Sequence, residues 1–268
     1  MADERGQAPL RALTVAELLR ELERERASVT GPAMLACDCD GTLWRGDVGE
    51  AQLERLLAVG GVREAARDAL LAEGRAAHLE LDAAASPTAL AAGLYAGYRG
   101  GRYRDADAFA MMAWVFAGYD AGELEAFADR TLDAFGLATA LRQPLRAVLA
   151  WAEANDTEVW LVSASPAAIV TRAALRMGIA VERVVAVTPR VAGGVVEPGL
   201  AAPLSYGHGK IERLRAVRPA HELIAAFGDS AYDLELLAAA RVPVAVAPGP
   251  ALRARAAELP RMVELVEI

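Results

Sequence analysis

"LACDCDGTLW", residues 35–44, places two carboxylates two positions apart at the end of an apolar run and follows them with Gly41, Thr42 and Trp44. Nothing of opposite charge stands beside Asp38 or Asp40 within this stretch. Two carboxylates held close together resist double ionisation, so the arrangement costs stability unless a cation or an anion-binding nest offsets the repulsion. Taken alone the stretch reads equally well as an Asp-Gly turn, because both residue types favour turns. The preceding "AMLAC", Ala33–Cys37, has the length and unbroken apolarity of a buried parallel strand, so the two aspartates stand at a strand's C-terminal end.

Outward from this strand the chain divides. Upstream, Thr14–Ser28 carries leucines at helical spacing, with Thr14 as N-cap and Glu17 three positions later, a capping-box pattern. From about Gln52 to Leu137 the pattern is helical throughout, punctuated by glycine pairs and without a strand signal. Beyond it short apolar strands alternate with helices: "VWLV" (159–162), "VVAV" (184–187), "ELIAAF" (222–227) and "PVAV" (243–246). "AVTPRVAGGVVEPG" reads as a hairpin turning at Gly193 and Gly194. The expected architecture is α/β, a Rossmann-like parallel sheet interrupted after its first strand by a helical insert. The boundaries predicted are 1–48 and 140–268 for the core, with 1–30 as an N-terminal helical extension, and 49–139 for the insert.

Composition narrows the function classes. The 268 residues are 54% hydrophobic, which excludes disorder, and 36 acidic against 28 basic residues leave a net charge of −8. That balance argues against a nonspecific nucleic-acid or anionic-membrane binder, so an anionic substrate must be held by local positive features. The longest apolar stretch, Ala108–Gly118, is shorter than the roughly 20 residues that span a bilayer and reads as a buried helix. The charged amino-terminal stretch has no signal-peptide pattern, and the two cysteines, Cys37 and Cys39, are spaced badly for a disulfide; both point to a cytoplasmic protein with reduced thiols.

In open parallel sheets, ligands bind beyond the carboxyl ends of the strands. "AMLAC" delivers Asp38 and Asp40 there, "VWLV" delivers Ser163, and "ELIAAF" delivers Gly228 and Asp229. Asp233 follows four residues after Asp229, where helix capping is the competing role. Asp38, Asp40, Asp229 and Asp233 together offer oxygen ligands only, which suits Mg2+ better than zinc or copper. For a phosphate, Ser163 offers a hydroxyl, Ala164 a neighbouring backbone N–H, and Lys210 in "YGHGKIERL" a mobile ammonium at a helix start. Lys210 is the only lysine in an arginine-rich chain and follows two glycines that permit close backbone approach.

With these residues assembled, the chain resembles the haloacid dehalogenase-like superfamily, and within it the phosphatases with a helical cap inserted after the first motif. "DCDGT", "VWLVSAS", the lysine of "GHGK" and "GDSAYD" occur in order over residues 33 to about 250. "LVSASP" and "YGHGKIERL" look most like the phosphoserine phosphatase branch. The resemblance implies magnesium and hydrolysis of a small phosphomonoester through an aspartyl phosphate. Asp38 is then the nucleophile and Asp40 the acid and base. Mg2+ is held by Asp38, the Asp40 backbone carbonyl and Asp229, with Asp233 in support, and Ser163, Ala164 and Lys210 hold phosphoryl oxygens. A dehalogenase or phosphotransferase on the same fold, or a phosphate-accepting signalling or binding protein, are the rival readings; a dehalogenase needs neither Asp40 nor the Asp229/Asp233 pair, and the signalling modules lack a cap. In phosphoserine phosphatases a glutamate at the spacing of Asp47 meets the substrate ammonium; here the side chain is one methylene shorter. Trp44 offers a ring face to a cation. An amino-bearing or quaternary phosphomonoester is the expected substrate class, against the alternative that Trp44 packs internally and Asp47 caps the first helix of the insert.

Overall fold

The computed structural model describes residues 10–266. β1 (Arg11–Leu13), α1 (Val15–Ala27) and β2 (Ala33–Cys37) come first, followed by α2 (Val48–Ala58), α3 (Arg67–Ala76), α4 (Pro87–Arg99), α5 (Asp105–Trp114) and α6 (Ala121–Phe135). Next are α7 (Leu137–Ala140), α8 (Gln143–Ala154), β3 (Thr157–Pro166), α9 (Ala167–Arg176), β4 (Val184–Val187), β5 (Pro189–Ala192) and β6 (Val195–Leu200). The chain closes with α10 (His208–Val217), β7 (Glu222–Gly228), α11 (Leu234–Ala238), β8 (Val242–Val246), α12 (Pro250–Ala254) and β9 (Val263–Leu265). Among the described residues, no helix is long and apolar enough to cross a membrane.

Two compact units partition these elements. Of the described residues, one unit holds those up to Gly46, Ala138–Ser163 and those from Ser205 onward; the other holds Asp47–Leu137 and Ala164–Leu204. In the first unit the strands lie in the order β1, β9, β8, β7, β2, β3, every adjacent pair parallel. β2 and β8 are buried at every residue, as parallel strands covered on both faces must be, which explains their unbroken apolar sequences. Cys37 is level with Leu161 of β3 and with Phe227 of β7. That register brings Asp38, Ser163 and Asp229 to one edge of the sheet. β3 and β7 flank β2 on opposite sides, and the carboxyl ends of strands are where α/β sheets bind ligands. α1 starts with the predicted capping box: the Thr14 hydroxyl accepts from Glu17 N–H at 3.3 Å, and Thr14 N–H donates to the Glu17 carboxylate at 2.9 Å.

The second unit buries a core of its own, built from α2 to α6 and including Leu53, Leu94, Met111, Trp114, Phe116 and Phe127. The aromatics of the 108–118 run are therefore packing residues. Gly193 and Gly194, both at positive φ (58° and 81°), make the turn of the predicted β5–β6 hairpin.

Three features depart from the reading of the sequence. Residues 164–204, expected in the core, group with the insert. The reason is a set of long-range links: Arg172 grips Asp129 at 3.0 and 2.6 Å, Arg176 meets Asp133 at 2.7 Å, and the Val196 and Gly118–Tyr119 backbones exchange hydrogen bonds of 2.9 Å. The amino-terminal segment contributes a strand as well as a helix, since β1 pairs with β9. Both strands have three residues, too few for a period-2 pattern to register. Finally, the segment after Asp229 begins as a single 3-10 turn, Ala231–Asp233, before the five-residue α11.

Candidate active site

The end of β2 sets the geometry. Asp38 N–H donates to Phe227 O at 3.0 Å, so the β-ladder continues one residue past β2 and locks the Asp38 backbone to β7. Its carboxylate is buried, and Oδ1 accepts from Lys210 Nζ at 2.6 Å. The same ammonium donates to Asp233 Oδ1 at 2.5 Å. Lys210 is the chain's only lysine, and its side chain is 3% exposed. It is thus fixed between two carboxylates, rather than the mobile group the sequence suggests. Asp233 Oδ2 accepts from Asp229 N–H, Ser230 N–H and Ser230 Oγ at 3.2, 3.0 and 2.9 Å, so this carboxylate both caps its own turn and anchors the lysine.

Asp229 Oδ1 accepts from the Thr42 hydroxyl at 3.1 Å. Gly41, at φ 79°, lies against the other side of that carboxylate, and a Cβ there would collide with it. Only glycine satisfies both the left-handed backbone and the close approach. The Gly41 carbonyl accepts from Arg142 Nε and Nη2 at 3.1 and 2.9 Å, tying the turn to the start of α8. Thr42, Arg142 and Ser205, whose hydroxyl donates to Ser163 O at 2.5 Å, are site residues the sequence reading did not single out. Ser163 itself is buried.

The remaining predicted residues are placed differently. Asp40 Oδ1 accepts from Trp44 Nε1 at 2.7 Å, and Trp44 is completely buried. Its ring is therefore no exposed platform for a cation; the indole N–H fixes the Asp40 side chain instead. Asp47 and Ala164 belong to the second unit. Asp47 N-caps α2, accepting from Glu50 N–H at 2.7 Å.

Electrostatics show what the cluster lacks. Burial pushes the Asp38 carboxyl well above the usual carboxylate range, the Asp233 charge adds to the rise, and Lys210 opposes it. Burial, then Asp233, raises Asp229 to about 6. Lys210 is held above its ordinary value because Asp233 and Asp38 outweigh the desolvation that acts against its charge. Oxygen atoms of Asp38, Asp229 and Asp233 all lie within 4.8 Å of one another. Fully ionised, the three carboxylates and one ammonium leave two negative charges in a buried space. A hard divalent cation with oxygen preference fits that donor set and charge.

The Asp229 shift carries a prediction. A carboxyl whose pKa is raised in the folded state lends stability below its unfolded value, and that stability is lost as pH rises through the folded value. For Asp229 the window runs from 3.8 to about 6. The cost at neutral pH is on the order of 3 kcal/mol. In metal-free protein, the melting temperature of wild type relative to Asp229→Asn is expected to fall across this window. Added magnesium is expected to raise the wild-type value more at pH 7.5 than at pH 5. A flat difference across the window, with no magnesium response, would count against both the shift and the metal site.

Residues 35–238 match the haloacid dehalogenase-like hydrolase family. The chain belongs to this family. No curated protein matches it. The fold is similar to that of a protein with unknown function from Bordetella pertussis Tohama I, with a TM-score of 0.68, 21% identity, and coverage of 88% of this chain and 99% of that one. A functionally unknown protein from Anaerococcus prevotii DSM 20548 gives a TM-score of 0.69 at 15% identity, over 93% and 91% of the two chains. A substrate-bound phosphoserine phosphatase complex gives 0.52 at 12% identity, over 89% and 95%. These likenesses establish a shared fold for this haloacid dehalogenase-like hydrolase.

Proposed function

We propose that the chain is a magnesium-dependent phosphomonoester hydrolase that works through an aspartyl phosphate on Asp38. The observation that carries this reading is the Asp38 carboxylate itself: buried, with Oδ1 held by Lys210 at 2.6 Å, beside Asp229 and two residues before Asp40. Lys210 orients Asp38 so that Oδ2 is the attacking atom. Attack forms the Oδ2–P bond and breaks the P–O bond to the alcohol, while Asp40 gives its proton to the departing oxygen. Asp40 then removes a proton from water; the water oxygen bonds to phosphorus, the Asp38–P linkage breaks, and phosphate leaves with Asp38 restored. Asp38, the Asp40 carbonyl and Asp229 would hold Mg2+, with Asp233 behind them; when bound, the ion neutralises phosphoryl oxygen charge as it develops. The Trp44 indole holds Asp40 in place for both proton transfers. Lys210, Ser163 and the Ala164 N–H would serve the phosphoryl oxygens.

The test is phosphate release from p-nitrophenyl phosphate by purified protein, with magnesium and with excess chelator. Magnesium-dependent release is expected; full activity in chelator removes the metal, and no release from any phosphomonoester removes the reading.

For the substrate we propose a small amino-bearing phosphomonoester of the phosphoserine or phosphocholine kind. The support is the acidic side chain of Asp47, nine residues after the nucleophile, and the fold likeness to a phosphoserine phosphatase complex. Because Asp47 caps α2, asparagine is the informative substitution: it caps a helix as well as aspartate and removes only the charge. Asp47→Asn is expected to raise KM several-fold for phosphoserine, phosphoethanolamine or phosphocholine and to leave that for glycerol phosphate near wild type. Equal losses on cationic and uncharged alcohols would show that Asp47 does not read the amino group.

A further inference from the structure

The two ends of the Lys210–Asp233 ion pair are carried by two short turns of the first unit. Lys210 N–H donates to Gly207 O at 3.0 Å and Gly209 N–H to Tyr206 O at 3.0 Å, so Tyr206 and Lys210 share one tight turn at the head of α10. Asp233 closes the other, its N–H donating to Ser230 O at 3.1 Å. The first turn contains Gly207 and Gly209, with Gly207 at φ 53° and ψ −129°, and has no side-chain cap. A glycine-flanked backbone and a four-carbon lysine stem supply little stiffness of their own. What joins the turns on the outside is a pair of rings. Tyr206 and Tyr232 meet with centroids 4.5 Å apart and planes at 39°. Tyr232 immediately precedes Asp233 and is 40% exposed, so the contact lies at the surface rather than in the core.

We propose that the Tyr206–Tyr232 contact is a positioning clamp. It fixes the distance between the Lys210 turn and the Asp233 turn, so that the ammonium stays on both carboxylates and Asp38 keeps its orientation. The clamp's effect on turnover rests on the phosphatase reading, whereas its effect on Lys210 does not.

Lys210 being the only lysine, protein labelled with ζ-15N lysine carries a single Nζ. An ammonium buried between two carboxylates exchanges its protons slowly and gives a 1H–15N cross-peak at neutral pH. Full-length Tyr206→Leu and Tyr232→Leu, checked as folded by circular dichroism, are expected to lose or broaden that cross-peak. Tyr206→Phe and Tyr232→Phe, which keep both rings, are expected to retain it. With p-nitrophenyl phosphate and magnesium, the leucine variants are expected to lower kcat roughly ten- to hundredfold, the scale of a small misplacement, with KM changing less. A wild-type cross-peak in both folded leucine variants overturns the clamp. Loss of the cross-peak in those variants, in a protein whose wild type hydrolyses no phosphomonoester, upholds the clamp and retires the phosphatase.

Discussion

Asp38→Asn is expected to lose phosphate release by roughly four orders of magnitude or more, and to melt at the same temperature as wild type or above it. The first half follows from chemistry: an amide oxygen is a poor nucleophile and forms no acyl phosphate that water opens. The second half follows from the site's electrostatics. Burial and the Asp233 charge hold the Asp38 carboxyl well above the usual range, so folding opposes the charge at this position. Asparagine is permanently neutral, has the same shape, and its Oδ1 can still accept from Lys210. It removes a desolvation cost that the wild type sustains at neutral pH, the familiar opposition between an active site and stability. Two assays decide the matter: steady-state phosphate release and thermal melting at pH 7.5 without metal. Turnover by the folded variant would end the covalent mechanism. A melting temperature several degrees lower would show that the Asp38 charge stabilises the fold and that the sign of its shift is wrong.

The parts of this site that the sequence reveals are those that local rules place. β2 and β7 are continuous apolar runs, so their ends, and with them Asp38, Asp40, Gly228 and Asp229, are legible from composition and length alone. Lys210 stands out because lysine is otherwise absent and glycines precede it. What stays hidden is tertiary. Thr42 lies in the opening stretch, but its partner Asp229 is 187 residues away, and Arg142 reaches Gly41 across 101. Nothing near either residue in sequence signals those bonds. From sequence, Trp44 reads either as a ring offered to a ligand or as a packed side chain; only the fold, by bringing Asp40 to its indole N–H, distinguishes them. Residues 164–204 show the same limit at larger scale. Their strands and helix follow from pattern, whereas their grouping with the insert depends on Arg172 and Arg176 finding Asp129 and Asp133.

Lys210→Met has the largest expected effect on the fold. Methionine fills nearly the same volume and carries no charge, which leaves Asp38 and Asp233 facing one another, both buried, with Asp229 close by. Breaking a buried pair by removing one partner strands the remaining charge and costs about 3–5 kcal/mol. For a domain of this size that is a fall in melting temperature of roughly 10 °C. The loss has a pH signature. Lys210 opposes the rise of the Asp38 and Asp229 carboxyls, so without the ammonium these two rise further, and stability is kept at acid pH and lost as pH rises through their folded values. The gap between wild type and variant is therefore expected to be smaller at pH 5 than at pH 8. Activity is expected to fall roughly 10²–10³-fold, the scale of one lost donor to a developing oxyanion. Asp233→Asn supplies the control, because Asp233 Oδ1 is the lysine's second partner at 2.5 Å. If the two groups form one unit, Lys210→Met combined with Asp233→Asn costs less than the sum of the single changes, by more than the roughly 0.5 kcal/mol within which independent sites add. Additive losses, or a pH-independent gap, would mean that Lys210 contributes through packing of its stem and that the ion pair is incidental to the fold.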